Sequence, residues 1–237
     1  PSSDIYPKRQ SVSTTGDFSI TKYTGTATGT NQTTTIPHGL SGTPDWVIVK
    51  NLDSNNTWIV KHSGVNSTSQ VLRLDTNLTL SSPSSGYITT LDSNHVTATR
   101  NTNQTAYGNN VNRSGQNYIM YAWKAVSGVS AFGTYTGGGS SNSTFANCGF
   151  FPRFIMTKRT DSTGNWMIMD NIRDTASSDG DSMFKQLYPN TSGVEDATGS
   201  YDKYELDEQS GNKGFFAKGD FSTSNASGGT YIFMAFA

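Results

Sequence analysis

Carboxylates are the first residues of this chain that could do chemistry, and they cluster in two stretches of its second half. The clustered residues are Asp170, Asp174, Asp179 and Asp181 in one stretch and Glu205, Asp207 and Glu208 in the other. Paired carboxylates can cleave glycosides, and with Asn171 the first group offers the hard oxygens that Ca²⁺ prefers. The spacing fits no EF-hand loop, and the first half of the chain has no equivalent cluster. The pattern therefore favours solvated loop charges over a calcium site or a hydrolase.

Histidine and cysteine give no stronger indication of catalysis. The three histidines, His38, His62 and His95, occur in unrelated contexts, which predicts turn and surface histidines rather than a metal site. The single cysteine, Cys148, lies in the apolar segment FANCGFF and is expected to be a buried small hydrophobe. No Gly-x-Ser-x-Gly nucleophile motif is present. We predict a non-enzymatic protein with no catalytic residues, no metal and no cofactor.

Four aromatic residues are candidates for ligand binding. Trp58 and Trp166 each lie eight residues after a lysine that ends an apolar run, and exposed aromatic rings can stack on sugars. Their matching positions favour core residues, with a ligand platform as the alternative. Tyr87 and Tyr107, on stretches rich in Asn and Ser, are the other candidate platforms.

The segments that must position these residues occur twice along the chain, as two similar sequences. Residues 23–50 and 135–158 both begin with Tyr-Thr-Gly, continue through a polar run to a proline, and end in an apolar run and a lysine. Residues 118–125, YIMYAWKA, likewise return at 231–237 as YIFMAFA. Fixed-period similarity is the sequence signature of repeated units. The pattern predicts an N-terminal arm or linker over 1–16 and two duplicated domains over 17–128 and 129–237.

Composition and periodicity predict an all-β fold, with tandem β-sandwich or jelly-roll-like domains. Charged residues make up only 15% of the chain, and short apolar runs alternate with turns of Gly, Ser, Thr and Asn about every 8 to 12 residues. In the first such run, we expect Phe18, Ile20 and Tyr23 to face the core. Residues 202–208 could form a short helix, which would be marginal because it has seven residues and no caps.

Charge and hydropathy exclude two classes of partner. The net charge is −1 and Lys and Arg form no run, which disfavours nucleic-acid binding. No apolar run reaches the roughly 18 residues of a membrane span, so no membrane insertion is expected. Basic residues outnumber acidic ones up to residue 130, and the reverse holds after it.

Residues 36–51 carry a family resemblance. They read Ile-Pro-His-Gly-Leu, then Pro-Asp, then an apolar strand ending in Lys-Asn, and residues 118–125 add the pattern Tyr-x-x-x-Ala-Trp-Lys-Ala. This combination resembles a β domain that recurs, often in tandem, in tail-fibre and other virion proteins of tailed bacteriophages. The second unit resembles it less closely, because Phe-Ala-Asn-Cys-Gly-Phe replaces the Ile-Pro-His-Gly-Leu string. No catalytic residues follow from the resemblance.

The resemblance implies a virion structural protein on the phage particle surface, in a tail fibre or another host-attachment appendage. A capsid decoration or adaptor protein and a stand-alone carbohydrate-binding module are the alternatives. The expected partners are further copies of the chain in a homotrimer, other virion proteins and a host surface glycan. An apolar strand at the chain end, with no polar tail to cover it, also favours self-association.

Overall fold

The structure, a computed structural model, describes residues 4–82, 86–100, 110–140, 143–173, 182–196, 203–206 and 211–237. Over these residues the fold is all-β, as predicted, and every regular element is a strand. No helix suited to crossing a bilayer occurs in this part of the chain. Two compact units divide the chain, one comprising Pro1–Leu74 and Leu80–Ala125 and the other Asp75–Thr79 and Val126–Ala237.

The first unit consists of two antiparallel sheets. Its strands are β1 (Arg9–Val12), β2 (Phe18–Thr24), β3 (Gln32–Pro37), β4 (Trp46–Asn51), β5 (Ile59–His62), β6 (Leu72–Arg73), β7 (Tyr87–Leu91), β8 (His95–Arg100) and β9 (Asn117–Trp123). The larger sheet has the order β1-β2-β9-β4-β5-β6, and the smaller one the order β3-β8-β7. Apolar residues of both sheets form one buried cluster, among them Val49 and Met120 from the larger sheet and Ile36 and Ile88 from the smaller. The two sheets therefore enclose a common core.

The second unit has two four-stranded sheets. Its strands are β10 (Ser130–Thr136), β11 (Thr144–Asn147), β12 (Phe154–Arg159), β13 (Met167–Asp170), β14 (Ser182–Met183), β15 (Tyr204–Glu205), β16 (Gly214–Ala217) and β17 (Thr230–Phe236). One sheet has the order β10-β17-β12-β13 and the other β11-β16-β15-β14. Their buried faces share a core that includes Ile155 and Phe233 from the first sheet and Phe215 from the second.

The strand orders of the two units correspond. Across the sheets, β2-β9-β4-β5 matches β10-β17-β12-β13, and β3-β8-β7 matches β11-β16-β15. In both units the last strand lies inside its sheet, where it pairs with β2 or β10 and with the strand that follows the proline. The two units thus share a strand order, and their duplication stays a prediction.

The repeated Tyr-Thr-Gly string has a steric explanation that is the same in both units. Gly25 passes so close to the chain ahead of β9 that a Cβ atom on it would lie 2.2 Å from the carbonyl oxygen of Arg113. Gly137 approaches Ala226 in the second unit, again at 2.2 Å. A separation of this size excludes any side chain, so both positions require glycine.

The tyrosines of the same string stack on the tyrosines that begin the last strands. Tyr23 lies 5.1 Å from Tyr118, and Tyr135 lies 4.9 Å from Tyr231, measured between ring centroids. Tyr23 Oη donates to the Val111 carbonyl at 2.6 Å, which satisfies its buried hydroxyl group. Each stack therefore joins the start of a unit to its end.

At each of these close approaches, a buried asparagine holds the two chain segments together by hydrogen bonds. Asn112 accepts a hydrogen bond from the Thr26 N–H at Oδ1 (2.9 Å) and donates from Nδ2 to Thr34 Oγ1 (2.7 Å). Asn225 accepts from the Gly138 N–H at 2.9 Å in the corresponding position. Both belong to a string not singled out from the sequence, Asn-x-Ser-Gly-x-x-Tyr, at residues 112–118 and 225–231.

Two expectations for the start of the chain are corrected. Phe18 and Ile20 do not face the core, because the buried Tyr23 sets the register of β2 and places Ser19 and Thr21 on its side. The arm expected over 1–16 includes the edge strand β1, which pairs with β2. Ile5, the one buried side chain among residues 4–16, packs into the first core.

Two further expectations fail in the second half. The helix expected over 202–208 is contradicted at Tyr204 and Glu205, which form β15, while residues 202, 207 and 208 lie outside the described residues. The terminal strand β17 is not an uncovered edge, since β10 and β12 pair with its two sides. An open edge at β17 therefore gives no reason for self-association.

Replacing Asn112 by alanine should destabilise the first unit, because Thr26 and Thr34 would each lose a buried hydrogen-bond partner. We expect the free energy of unfolding to fall by about 2 kcal/mol or more, since a buried polar group left unsatisfied costs about 1–3 kcal/mol. Chemical denaturation of Asn112→Ala measures this, with the exposed Asn94→Ala as the matched control. Equal stability of the two variants would contradict a structural role for the buried amide.

Candidate functional site

The two tryptophans hold matching positions in the sequence but differ in burial in the structure. Trp58 directly precedes β5 and is half-buried, whereas Trp166 directly precedes β13 and is fully buried. Trp166 is thus a core residue, the interpretation that matching positions favoured, and Trp58 remains as a platform candidate. Tyr87 is half-buried and packs against the first core, and Tyr107 lies outside the described residues.

Trp58 lines an open cleft with a volume of about 600 Å³ on the first unit. Its floor is apolar and aromatic, formed by Trp58, Ile119 and Tyr121. The sheet register explains this grouping, because Ile119 lies opposite Lys50, and Trp58 directly precedes Ile59, the partner of Val49. Lys50 Nζ lies 5.8 Å from the centroid of the Trp58 ring and also donates to the Asn56 carbonyl. The cation is therefore held against one end of the aromatic floor.

The rim of the cleft is a loop held by side-chain hydrogen bonds. Asn51, at the end of β4, is buried, and its Oδ1 accepts the N–H groups of Asp53 (2.8 Å) and Ser54 (3.1 Å). Its Nδ2 donates to Gln116 Oε1 at 2.7 Å. Asp53 in turn accepts the Asn117 N–H at 2.6 Å. These contacts fix the rim to the strand beneath it, so the cleft is formed without a ligand.

The lining of the cleft combines an aromatic face with polar groups. A flat indole face can contact the C–H groups of a sugar ring, while Lys50 and the rim amides offer hydrogen bonds to hydroxyl groups. Asp53 is the one carboxylate that lines it, so the lining offers no acid–base pair for glycoside cleavage.

The corresponding position of the second unit has no such floor. Lys158 is buried there, and its Nζ donates to the Arg159 carbonyl at 2.7 Å. Met234 occupies the position of Tyr121 in the register and is buried as well. The first unit alone combines an exposed indole face with the tyrosine.

The described carboxylates of the acidic stretches are engaged in ion pairs. Asp170 Oδ2 accepts from Arg173 Nε at 2.6 Å, and Arg173 also contacts Glu195 at 2.9 Å. Burial opposes ionisation of Asp170, but the hydrogen bonds from Arg173 outweigh it and lower the pKa of the carboxyl group. Glu205 pairs with Lys218. The other acidic residues of these stretches, Asp174, Asp179, Asp181, Asp207 and Glu208, lie outside the described residues.

The histidines take structural positions. His38 is buried, with Nδ1 accepting from the Leu40 N–H at 3.0 Å and Nε2 lying 3.1 Å from the Asp92 carbonyl. Burial lowers the pKa of His38, which favours the neutral ring that these contacts require. His62 is also buried, and its Nδ1 accepts from the Gly64 N–H at 2.8 Å. Across the described ranges no group of side chains has the makings of a metal site.

Cys148 packs at the edge of the second core. The side chain is partly buried, and burial raises the pKa of its thiol to about 12. A thiol that stays protonated at neutral pH is a poor nucleophile. The residue expected to be a buried small hydrophobe therefore packs against the core but is only partly buried.

A second cavity of about 310 Å³ in the first unit contains a buried lysine that sequence reasoning missed. Lys61 is 4% exposed, and its Nζ donates to the carbonyls of Ser67 and of Gln70, the latter at 3.1 Å. Burial lowers the pKa of Lys61 to about 8. The ammonium group ties down the loop that follows β5.

The fold and the cleft define an all-β protein of two units with an open aromatic cleft on the first. The chain belongs to the family described as Domain of unknown function (DUF7483), whose model matches residues 6–237. No curated protein and no solved structure matches the chain. One family model therefore spans both units.

The lowered pKa of Lys61 predicts that stability increases between about pH 8 and 10. In this range the unfolded chain binds a proton at Lys61 that the folded chain has released, so raising the pH favours folding. We expect a gain on the order of 1 kcal/mol, measured by denaturation across the range. Lys61→Met should flatten the rise, whereas the exposed Lys213→Met should not.

Lys158 contributes in the same direction, since burial also lowers its pKa to about 8. The rise should therefore be reduced in Lys61→Met rather than abolished. Above pH 10 the slope reverses, because burial raises the pKa of tyrosines such as Tyr23, which keep their protons in the folded state. An unchanged slope in Lys61→Met would refute the assignment.

Proposed function

We propose that this chain is a non-enzymatic structural protein of a bacteriophage virion, part of a tail fibre or another host-attachment appendage, that binds a host surface saccharide in the Trp58 cleft. The observation that carries the proposal is the half-exposed indole of Trp58 on the floor of a preformed cleft. The virion location is supported by the sequence resemblance of residues 36–51 and 118–125.

The composition of the cleft favours a saccharide over an apolar small molecule. Its floor supplies an aromatic face, but its rim is lined by groups such as Asp53, Ser54 and Asn55 that hydrogen-bond with hydroxyls. A binding site of this kind combines apolar contact with a few placed polar groups. Because hydrogen bonds hold the rim in place, binding requires little ordering of the loop.

Two alternative roles would place the same cleft elsewhere. A capsid decoration or adaptor protein would display it on the head of the particle, and a stand-alone carbohydrate-binding module would act outside any particle. Antibodies against the chain, imaged on intact particles, distinguish the three. Labelling of the tail tip supports the proposal, labelling of the head supports decoration, and particles without label support the stand-alone module.

Trp58→Ala should weaken saccharide binding by more than about 2 kcal/mol, or about thirtyfold in Kd, because a buried stacking contact is lost. Titration of the full chain with purified host surface polysaccharides measures the effect. The control is Tyr6→Ala, which truncates an aromatic residue that is 87% exposed and lies outside the cleft. Equal affinity of the Trp58 and Tyr6 variants would show that the cleft is not the binding site.

Threefold self-association is the second part of the proposal. On the second unit, Phe236 contacts Phe132 at 6.1 Å and Phe154 at 6.0 Å, measured between ring centroids. The three rings lie on the face of the sheet opposite the core, and all are half-buried. A partly exposed aromatic cluster suits a contact between copies, and a closed ring of copies would cover it in each.

Phe236→Asp should convert a trimer to a monomer, because a carboxylate in this cluster would be desolvated without a partner. Light scattering after size exclusion measures the mass, which is expected to be three times that of the chain before substitution. Val194→Asp, at a position that is 90% exposed, is the control and should remain trimeric. A monomeric parent chain would exclude the assembly.

A further inference from the structure

The outer face of the larger sheet of the first unit carries a row of cations that ends at Trp58. Arg9 pairs with Lys22 across β1 and β2, and Lys22 pairs with Ile119 on β9. Ile119 pairs with Lys50 on β4, beyond which lies Trp58. Residues that pair directly across antiparallel strands project from the same face. The row therefore reads Arg9, Lys22, Ile119, Lys50, Trp58.

This row is accessible, unlike much of the same face. Arg9 and Lys22 are exposed, and Ile119, Lys50 and Trp58 are half-buried. Further along β4, β5 and β6 the face is closed, with Trp46, Val60 and Leu72 buried. Along β2 and β9 it continues through half-buried residues such as Ile20 and Tyr121. The charged part of the face is thus a band across the sheet at one end of its strands.

The cations of the band form no ion pairs with the described residues. Arg9, Lys22 and Lys50 are all unpaired in this sense, and the rim carboxylate of Asp53 hydrogen-bonds to the N–H and Nδ2 of Asn117 rather than to Lys50. With adjacent strands about 4.8 Å apart, the four steps from Arg9 to Trp58 span about 19 Å. That length exceeds a single sugar ring and suits a short run of an extended polymer.

We propose that the row binds an acidic polysaccharide, with one sugar ring stacked on Trp58 and the following carboxylates paired with Lys50, Lys22 and Arg9. The inference rests on the proposed function, of which it names the ligand class. The cations lie on one line with the aromatic ring at its end, so a linear anionic chain meets all four groups in sequence. Ionic contacts to exposed side chains add modest affinity each and give selectivity through their number.

A polysaccharide fits the row better than other anionic partners. Nucleic acid is disfavoured because the chain has a net charge of −1 and the band has one aromatic ring for stacking. An anionic membrane would need apolar side chains that reach into lipid, and those beside the band, such as Ile20 and Tyr121, are half-buried in the sheet.

The test compares two ligands that differ only in charge, hexamers of β-1,4-linked glucuronic acid and of β-1,4-linked glucose. The full chain should bind the acidic hexamer about tenfold more tightly at low salt, and added salt should remove the preference. The double variant Arg9→Gln, Lys22→Gln should lose the preference while its affinity for the neutral hexamer is unchanged. Lys213→Gln, an exposed lysine on the second unit, is the control and should keep the preference.

The possible failures are distinguishable. Binding of both hexamers with equal affinity, lost in Trp58→Ala, would overturn the acidic preference and leave the proposed function intact. If neither hexamer binds, both proposals fail. Vesicles of phosphatidylglycerol, single-stranded DNA and the chain alone are measured in parallel. Binding or salt-sensitive self-association that depends on Arg9 and Lys22, without binding of the acidic hexamer, would reassign the row to that partner.

Discussion

Each unit depends on one close crossing of its chain, where the segment after β2 or β10 passes over the turn that leads into the last strand. Gly25 and Gly137 allow the backbones to approach, and Asn112 and Asn225 supply the hydrogen bonds that hold them there. The crossing brings β2 beside β9 and β10 beside β17, and it thereby closes the sheet around its core. The cleft follows from this closure, since Tyr121 and Ile119 belong to the last strand of the first unit.

Much of the fold could be predicted because local pattern and tertiary environment agree. The run Trp46–Asn51 is apolar on both faces and forms a central strand, and β2 has the bounds that its alternation predicts. Prediction failed where the environment overrides the pattern. Phe18 and Ile20 look like core residues, yet they lie on an outer face that is itself apolar, and β1 is polar because it is an exposed edge strand.

The sequence predicts the tryptophans of the candidate site but not the residues that surround them. Trp58 and Trp166 hold matching positions relative to a lysine, and no local feature tells them apart. Their environments differ through residues distant in sequence, such as Tyr121 in one unit and Met234 in the other, which become neighbours only when the last strand pairs. The row of cations could not be predicted for the same reason. Arg9, Lys22 and Lys50 are far apart along the chain, and only the pairing of their strands brings them close together.

The anchoring of the rim through Asn51 and Gln116 separates the parts of the cleft that must stay constant from those that can change. Leu52 and Asn55 project from the rim to solvent, and their side chains take no part in the hydrogen bonds that hold it. Substitutions at these two positions would reshape the mouth of the cleft at little cost in folding. A cleft built in this way can vary at its mouth while the hydrogen bonds that hold its rim stay the same.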